Sequence, residues 1–283
     1  MKGRVMAKKA VCVGINDYPI KDADLQGCVN DAEGWASLLT GHYDFPKSDV
    51  QMIINEQAIK KNVMKHLQDL IAGANSGDVL VFTNSSHGSY IPDADGDEPN
   101  GYDEVLCTYD IEDNQIVDDE LRELFTDLPD GVSLTVISDS CHSGNVTRVA
   151  VSDILPGAGP NDDRRVRFLN PLYWRPEEKP RSSVIPDAAG AVPRKRQAYP
   201  QSTMSHVLLS GCMDVEVSYD AMIDGAYHGA MSYHALKIIN DAGYKITYQE
   251  LAAQLVPLVN GAGYPQHPQL EGPKSLKSRQ IFS

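Results

Sequence analysis

Apolar residues in this chain fall in short unbroken runs separated by longer amphipathic stretches. Lys8 to Asn16, Asp49 to Ile54, Asp78 to Asn84 and Val132 to Ile137 are rich in Val, Ile, Leu and Phe, with little of the alternation that a half-solvated strand shows. Strands covered on both faces read this way. Between them, Cys28 to about Thr40 predicts a helix with Asn30 or Asp31 as its cap. Ile59 to Ala72 predicts a second, with Val63, Leu67, Leu70 and Ile71 on its apolar face. A third helix is expected from about Asp118 to Phe125. Further on come a strand at Ser205–Ser210, a helix entered through Tyr227–Ser232 and running to about Asp241, a helix at about Thr247–Val259, and a final strand within His267–Gly272. Strands alternating with helices predict an α/β fold built on a mostly parallel, doubly wound sheet.

Two stretches lack this pattern. Residues 91–104 are rich in Asp, Gly and Pro and read as a loop. From Asp93 to Asp130 the chain carries fifteen of its 39 acidic residues and a single base, Arg122. Residues 151–203 hold eight prolines and nine of the 25 basic residues, with little periodicity. That stretch reads as a long linker or a surface insertion, one able to pack over a site.

Composition narrows the classes. With 283 residues, 42% of them hydrophobic, the chain can bury one sizeable core. A net charge of −14 argues against a nucleic-acid-binding protein, which would carry a basic face. The five cysteines, Cys12, Cys28, Cys107, Cys141 and Cys212, are scattered, odd in number and free of C-x-x-C pairs. They form neither a disulfide framework nor a zinc site. Met1 to Lys9 has no apolar core of a secretory signal, and no run of eighteen apolar residues spans a membrane. A reduced, cytoplasmic setting is expected.

The chemistry concentrates where two of the apolar runs stop. One ends in Ser138-Asp139-Ser140-Cys141-His142-Ser143-Gly144, the other in Ser85-Ser86-His87-Gly88-Ser89. In an open parallel sheet, ligands sit at the carboxyl ends of strands. His87 and Cys141, far apart in sequence, can therefore meet in space if both close neighbouring strands. The imidazole would take the thiol proton, and the thiolate would be the nucleophile. The backbone N–H groups of Gly88 and Cys141 could stabilise an oxyanion. His142 is the nearest rival base, but adjacent strand-end residues point apart. Cys12, Cys107 and Cys212 lie in or beside apolar runs and read as core.

His-Gly followed at a distance by Asp-Ser-Cys-His-Ser-Gly, each after an apolar strand, resembles the caspase-like cysteine peptidases. The metacaspase and bacterial caspase-homologue branch fits best, since true caspases carry their cysteine in Q-A-C-x-G. The likeness runs from about Lys8 to Phe282. It implies a three-layer caspase-like fold with about six strands and helices on both faces. Residues 1–150 would be the half that carries the dyad, 151–203 a linker, and 204–283 the half that completes the same domain.

The resemblance also implies site residues. His87 and Cys141 would be the catalytic dyad, with no third member visible. Cys28, Asp31, Ser85 and Asp139 would line the pocket for the residue before the cut bond. Two carboxylates there would reject an acidic side chain and bind Arg, or less firmly Lys. Asp31 is equally a natural helix cap. Asp118 and Asp119, with Asp103, match a calcium-binding segment of many metacaspases, and Asp93 to Glu98 resembles the start of a calcium loop. Arg148, where relatives often carry an Asp, would oppose a cation there. Arg194-Lys195-Arg196 is a candidate self-cleavage segment, because proteolysis concentrates in exposed, Pro-bounded stretches. The implied protein is thus an endopeptidase acting on proteins or peptides at Arg or Lys. The alternatives are an effector in cell death or antiviral defence switched on by a small molecule or protein, and a non-catalytic scaffold.

Overall fold

The computed structural model describes residues 6–93, 96, 98, 101–141, 163–175, 204–213 and 216–283. In chain order the first elements are Lys8–Gly14 (β1), Cys28–His42 (α1), Val50–Ile54 (β2), Lys60–Ile71 (α2) and Val79–Ser85 (β3). Gly88–Pro92 (β4), Tyr102–Leu106 (β5), Ile116–Val117 (β6), Asp118–Thr126 (α3), Ser133–Asp139 (β7) and Arg165–Val166 (β8) follow. The last part holds Val207–Ser210 (β9), Tyr219–Ile223 (β10), Ala226–Gly229 (β11), Ala230–Asp241 (α4), Tyr248–Gly261 (α5), Gln269–Glu271 (β12) and the short helix Lys274–Lys277 (α6).

The centre is a six-stranded sheet in the order β12-β9-β7-β3-β1-β2. Five strands are parallel, and β12 alone runs antiparallel, beside β9. The α/β architecture expected from the alternation of runs is therefore present, with about the expected number of strands. Every residue of β3 is buried, which is why it reads as an unbroken run. Its pleat sorts side chains between two cores. Val79 and Val81 join Ala10, Cys12, Trp35, Leu39, Ile238 and Leu255 on the face covered by α1, α4 and α5. Leu80 and Phe82 join Val11, Val13, Val63, Leu67 and Val136 on the face covered by α2.

Several expectations are corrected. Residues 91–104 are not simply a loop: β4 and β5 pair antiparallel, with Ile91 opposite Asp103, and β6 extends them into a second small sheet. Their sequence is polar because only part of this sheet is covered. A third sheet, β11-β10-β8, was not expected at all. The polar residues that appeared to end two strands in fact continue them, since β3 runs through Ser85 and β7 through Asp139. Neither Asn30 nor Asp31 caps α1. The helix begins at Cys28, and the Asn16 side chain accepts from the Cys28 and Val29 N–H groups at 2.8 and 3.2 Å. That arrangement leaves Asp31, a turn into the helix, to point elsewhere. Residues 163–175, inside the expected linker, pack against the sheet edge, with Arg167, Leu169 and Trp174 buried.

Trp35, close to one turn beyond Asp31, locks α1 in place. It is 1% exposed, meets Phe282 edge-on and donates its indole N–H to Ser232 at 3.3 Å. Trp35→Ala is expected to cost about 3–5 kcal/mol of folding stability, measured by urea unfolding, because large aromatic truncations leave a cavity.

Candidate active site

β3 and β7 are adjacent and parallel, with Ser85 opposite Asp139 in register. His87 and Cys141 follow that register pair at equal distance, so both motifs open side by side at the carboxyl edge of the sheet. The His87 backbone N–H donates to the Tyr18 hydroxyl at 3.2 Å, and the two rings lie 5.2 Å apart. His87 Nε2 is 2.7 Å from the carbonyl oxygen of Ala23. A carbonyl can only accept, so Nε2 carries the proton and Nδ1 keeps its lone pair. Nδ1 is buried without a hydrogen-bond partner. Burial above all holds the imidazole pKa down at about 4, so the ring is a neutral base at physiological pH.

Cys141 has no exposed surface, and its sulfur accepts the Ser218 N–H at 3.0 Å. Burial first, and then a hydrogen bond with neighbouring Cys212, keep its pKa well above the ordinary thiol value. The resting group is a thiol, not a thiolate. Gly88, the first residue of β4, brings its backbone against Cys141. A Cβ on Gly88 would coincide with the Cys141 carbonyl oxygen, so only glycine fits.

The space between His87 and Cys141 holds a piece of the chain itself. The Gly88 and Cys141 N–H groups, the expected oxyanion donors, both donate to the carbonyl oxygen of Arg167, at 2.9 and 3.3 Å. Arg167 N–H donates to Ser218 O at 2.9 Å, and β8 pairs antiparallel with β10, Val166 opposite Tyr219. On the other side, Leu169 N–H donates to Gly88 O at 3.0 Å, and Ser89 Oγ donates to Leu169 O at 2.7 Å.

The Arg167 side chain fills the expected pocket. Its Nη2 donates to Asp31 Oδ2 at 2.6 Å and to Asp220 Oδ1 at 3.0 Å. Nη1 donates to the Asp139 carbonyl oxygen at 2.9 Å and lies 3.4 Å from the Asp139 carboxylate. All four ionic groups are without exposed surface. Cys28 is buried at the start of α1, one turn before Asp31, and burial keeps it a neutral thiol. Ser85, in contrast, stays in the strand opposite Asp139 and makes no side-chain hydrogen bond to Arg167. The Gly229 N–H donates to Asp31 at 3.0–3.1 Å, and Ser232 N–H to Asp139 at 2.8 Å. Burial pushes the Asp139 carboxyl up, against the downward pull of Arg167.

Sequence reading missed Asp220, Ser218, Gly229 and Ala23. Asp220 could have been suspected only as an acid among apolar neighbours, and Ala23 acts through its backbone, which leaves no signal. The expected calcium residues lie elsewhere. Arg122 Nη2 is 2.7 Å from Asp118, Nη1 bonds Asp119, and Glu98 is 3.8 Å away. Asp103 is buried in β5. Among the described residues no three His, Cys, Asp or Glu side chains gather as a metal-binding group. Arg122 is the cation that Asp118 and Asp119 hold here, and calcium enters no step below. His142, Arg148, Arg194, Lys195 and Arg196 lie outside the described residues. No helix among the described residues is long and apolar enough to cross a membrane.

Residues 8–150 match the family described as metacaspase, peptidase C14 domain. The chain belongs to the metacaspase family. Metacaspases are cysteine endopeptidases. Metacaspase-1 of Scheffersomyces stipitis is 32% identical over 289 residues, covering 93% of this chain and 70% of that relative. Other curated metacaspases extend far beyond the match, the chain spanning 36% of the length of one from Arabidopsis thaliana. A crystal structure of a Geobacter sulfurreducens protein superposes with a TM-score of 0.71 at 24% identity, covering 98% of both chains. Caspase-1 of Spodoptera frugiperda superposes at 0.58 and 14% identity, over 94% of this chain and 86% of that one. Both carry the fold, and with it the caspase-like architecture of this metacaspase.

Three measurements check the geometry. In the intact metacaspase, nitrogen-15 spectra should show His87 as the neutral Nε2–H tautomer at neutral pH, charging only as pH falls to about 4. A depressed imidazole pKa means that folded His87 binds fewer protons than unfolded His87 between about 4 and 6.5, so its contribution to stability, read by urea unfolding of wild type against His87→Ala, should rise with pH across that window, with His206 adding to it and the raised Asp139 opposing it. Gly88→Ala should lower peptidase activity about a hundredfold or more, because its Cβ would collide with the Cys141 carbonyl and push the Gly88 N–H out of place, a loss like that of one oxyanion donor.

Proposed function

We propose that this protein is an endopeptidase that cuts polypeptides after arginine, and less well after lysine, with Cys141 as nucleophile and His87 as base. The observation that carries the reading is the Arg167 residue, whose guanidinium meets three buried carboxylates while its carbonyl oxygen meets two converging N–H groups. Those two ends are what a peptidase must grip, the side chain for selectivity and the carbonyl for chemistry.

The steps follow from the atoms present. His87 Nδ1 takes the Cys141 thiol proton as sulfur attacks the carbonyl carbon, and the negative charge develops on the oxygen facing the Gly88 and Cys141 N–H groups. The imidazolium, held by the Ala23 carbonyl, then gives that proton to the departing amine. Water, deprotonated by the same imidazole, hydrolyses the thioester. Lysine reaches the pocket as a single point charge and cannot engage Asp31, Asp220 and the Asp139 carbonyl with two separate nitrogens as arginine does. An acidic side chain would add a fourth negative charge.

A cleft already filled by the chain's own residues favours a gated peptidase over a constitutive one, since another substrate requires the segment to leave.

Fluorogenic peptides ending in Arg, Lys or Asp before the reporter, with and without millimolar calcium, test the reading against a Cys141→Ala control. Hydrolysis should rank Arg above Lys and be absent for Asp, and preference for Asp would sink the pocket assignment. Asp220→Asn should raise KM for Arg peptides roughly ten- to hundredfold with little change in kcat, the worth of one charged hydrogen bond.

A further inference from the structure

We infer that β4 and β5 carry the subsite for the residue that follows the cut bond in a substrate, and that this subsite selects an aromatic side chain. The inference rests on the peptidase reading above and deepens it, adding selectivity on the leaving side of the bond to that of the arginine pocket.

The Arg167 carbonyl oxygen accepts from both the Gly88 and the Cys141 N–H groups. Arg167 therefore marks the place of the residue before the cut bond in any substrate, and Phe168 the place of the residue after it. A peptide lying there is set in register by main chain along β4. Phe168 bridges to Gly88 in parallel, Leu169 N–H donates to Gly88 O at 3.0 Å, and Ser89 Oγ donates to Leu169 O at 2.7 Å. These bonds read no side chain, so they would hold any sequence that a substrate supplies.

Selectivity enters with Tyr90, two residues beyond Gly88 and on the same face of β4. Its ring stacks on that of Phe168, with 15° between the planes and 6.1 Å between the centres. Tyr90 stands opposite Glu104 of β5, and Tyr102, two residues from Glu104, shares that face. Tyr102 meets Tyr90 edge-on at 5.0 Å, which fixes the Tyr90 ring in the plane that Phe168 needs. Phe168, Tyr90 and Tyr102 are all half-buried, so the subsite is a platform at the surface rather than a closed pocket. Stacked aromatic pairs gain affinity beyond the area they cover. An alanine in this place would leave the Tyr90 face bare. A carboxylate would come beside Glu104, within the acid-rich stretch from Asp93 to Asp130, and like charges so placed repel. The platform thus ranks an aromatic residue first, a small one lower and an acidic one last.

Peptides that differ only in the residue after a single arginine (Phe, Tyr, Ala or Asp) test this on the full chain. Donor and quencher sit at the peptide ends, so that the subsite meets the peptide's own residue, and mass spectrometry fixes each cut. Values of kcat/KM for Arg–Phe and Arg–Tyr bonds are expected about tenfold above Arg–Ala, with Arg–Asp lowest. The gap should lie in KM rather than kcat, since stacking grips ground state and transition state alike. Tyr90→Phe keeps the ring and should keep the ranking, whereas Tyr90→Ala should bring the ratio of Arg–Phe to Arg–Ala down to about one to two. The wild-type ranking is decisive even where Tyr90→Ala does not fold: equal values for Phe and Ala, or a preference for Asp, overturn the aromatic subsite and leave the arginine pocket standing. A folded Tyr90→Ala chain with the full preference overturns it as well. Failure of the wild type to hydrolyse any of these arginine peptides overturns the peptidase reading with it.

Discussion

Three carboxylates without solvent access cannot remain charged and close together unless a cation joins them. Removing one ion from water to a protein interior costs several kcal/mol, and like charges add repulsion to that cost. Asp31 from α1, Asp139 from the end of β7 and Asp220 from β10 meet this condition around a single guanidinium, that of Arg167. Neutral donors soften the burial: Gly229 and Ser232 N–H groups for Asp31 and Asp139, and Gln26 and Gly27 N–H groups for Asp220. They do not neutralise the charge. The pocket is thus defined by its demand for a cation, which Arg167 meets, and burial first, with Asp31 adding to it, still holds the Asp139 carboxyl up against the pull of the guanidinium. The selectivity proposed above for a basic side chain would be a consequence of that demand.

The same residue links recognition to chemistry. Depth of the guanidinium sets where the carbonyl oxygen falls, and it falls between two N–H groups whose separation is set by the backbone contact of Gly88 with Cys141. Cys141 and His87, the proposed nucleophile and base, are both uncharged in this state, the thiol raised and the imidazole lowered by burial. Proton transfer is then coupled to attack, because a thiolate–imidazolium pair has no water to stabilise it until the carbonyl oxygen takes the charge. Ala23 O keeps the imidazole in the tautomer that this transfer requires.

Much of this was legible in the chain. Unbroken apolar runs identify β1, β3 and β7 because strands buried on both faces carry little polar alternation. His87 and Cys141 stand out because small polar residues do not follow such runs without a reason. Asp31 and Asp139 were legible through motif resemblance. The β4–β5 hairpin was hidden by its acidic sequence, and Asp31 was a plausible cap until Asn16 proved to hold the helix start. The basic stretch showed that an arginine could meet the site, yet charge density favoured residues 194–196 over Arg167, since nothing local distinguishes one arginine from another.

The sequence by itself determined the main strands of the sheet and the two strand ends where His87 and Cys141 stand, because burial and strand-end chemistry are written in adjacent residues. Tertiary structure alone decided the third carboxylate, the carbonyl that orients His87, and the identity of the arginine in the pocket. Each of those is a meeting of residues far apart in the chain: Asp220 with Asp31, Ala23 with His87, Arg167 with Asp139. Coulomb attraction and hydrogen bonding act through space over a few ångströms, and only the folded chain specifies which groups come that close.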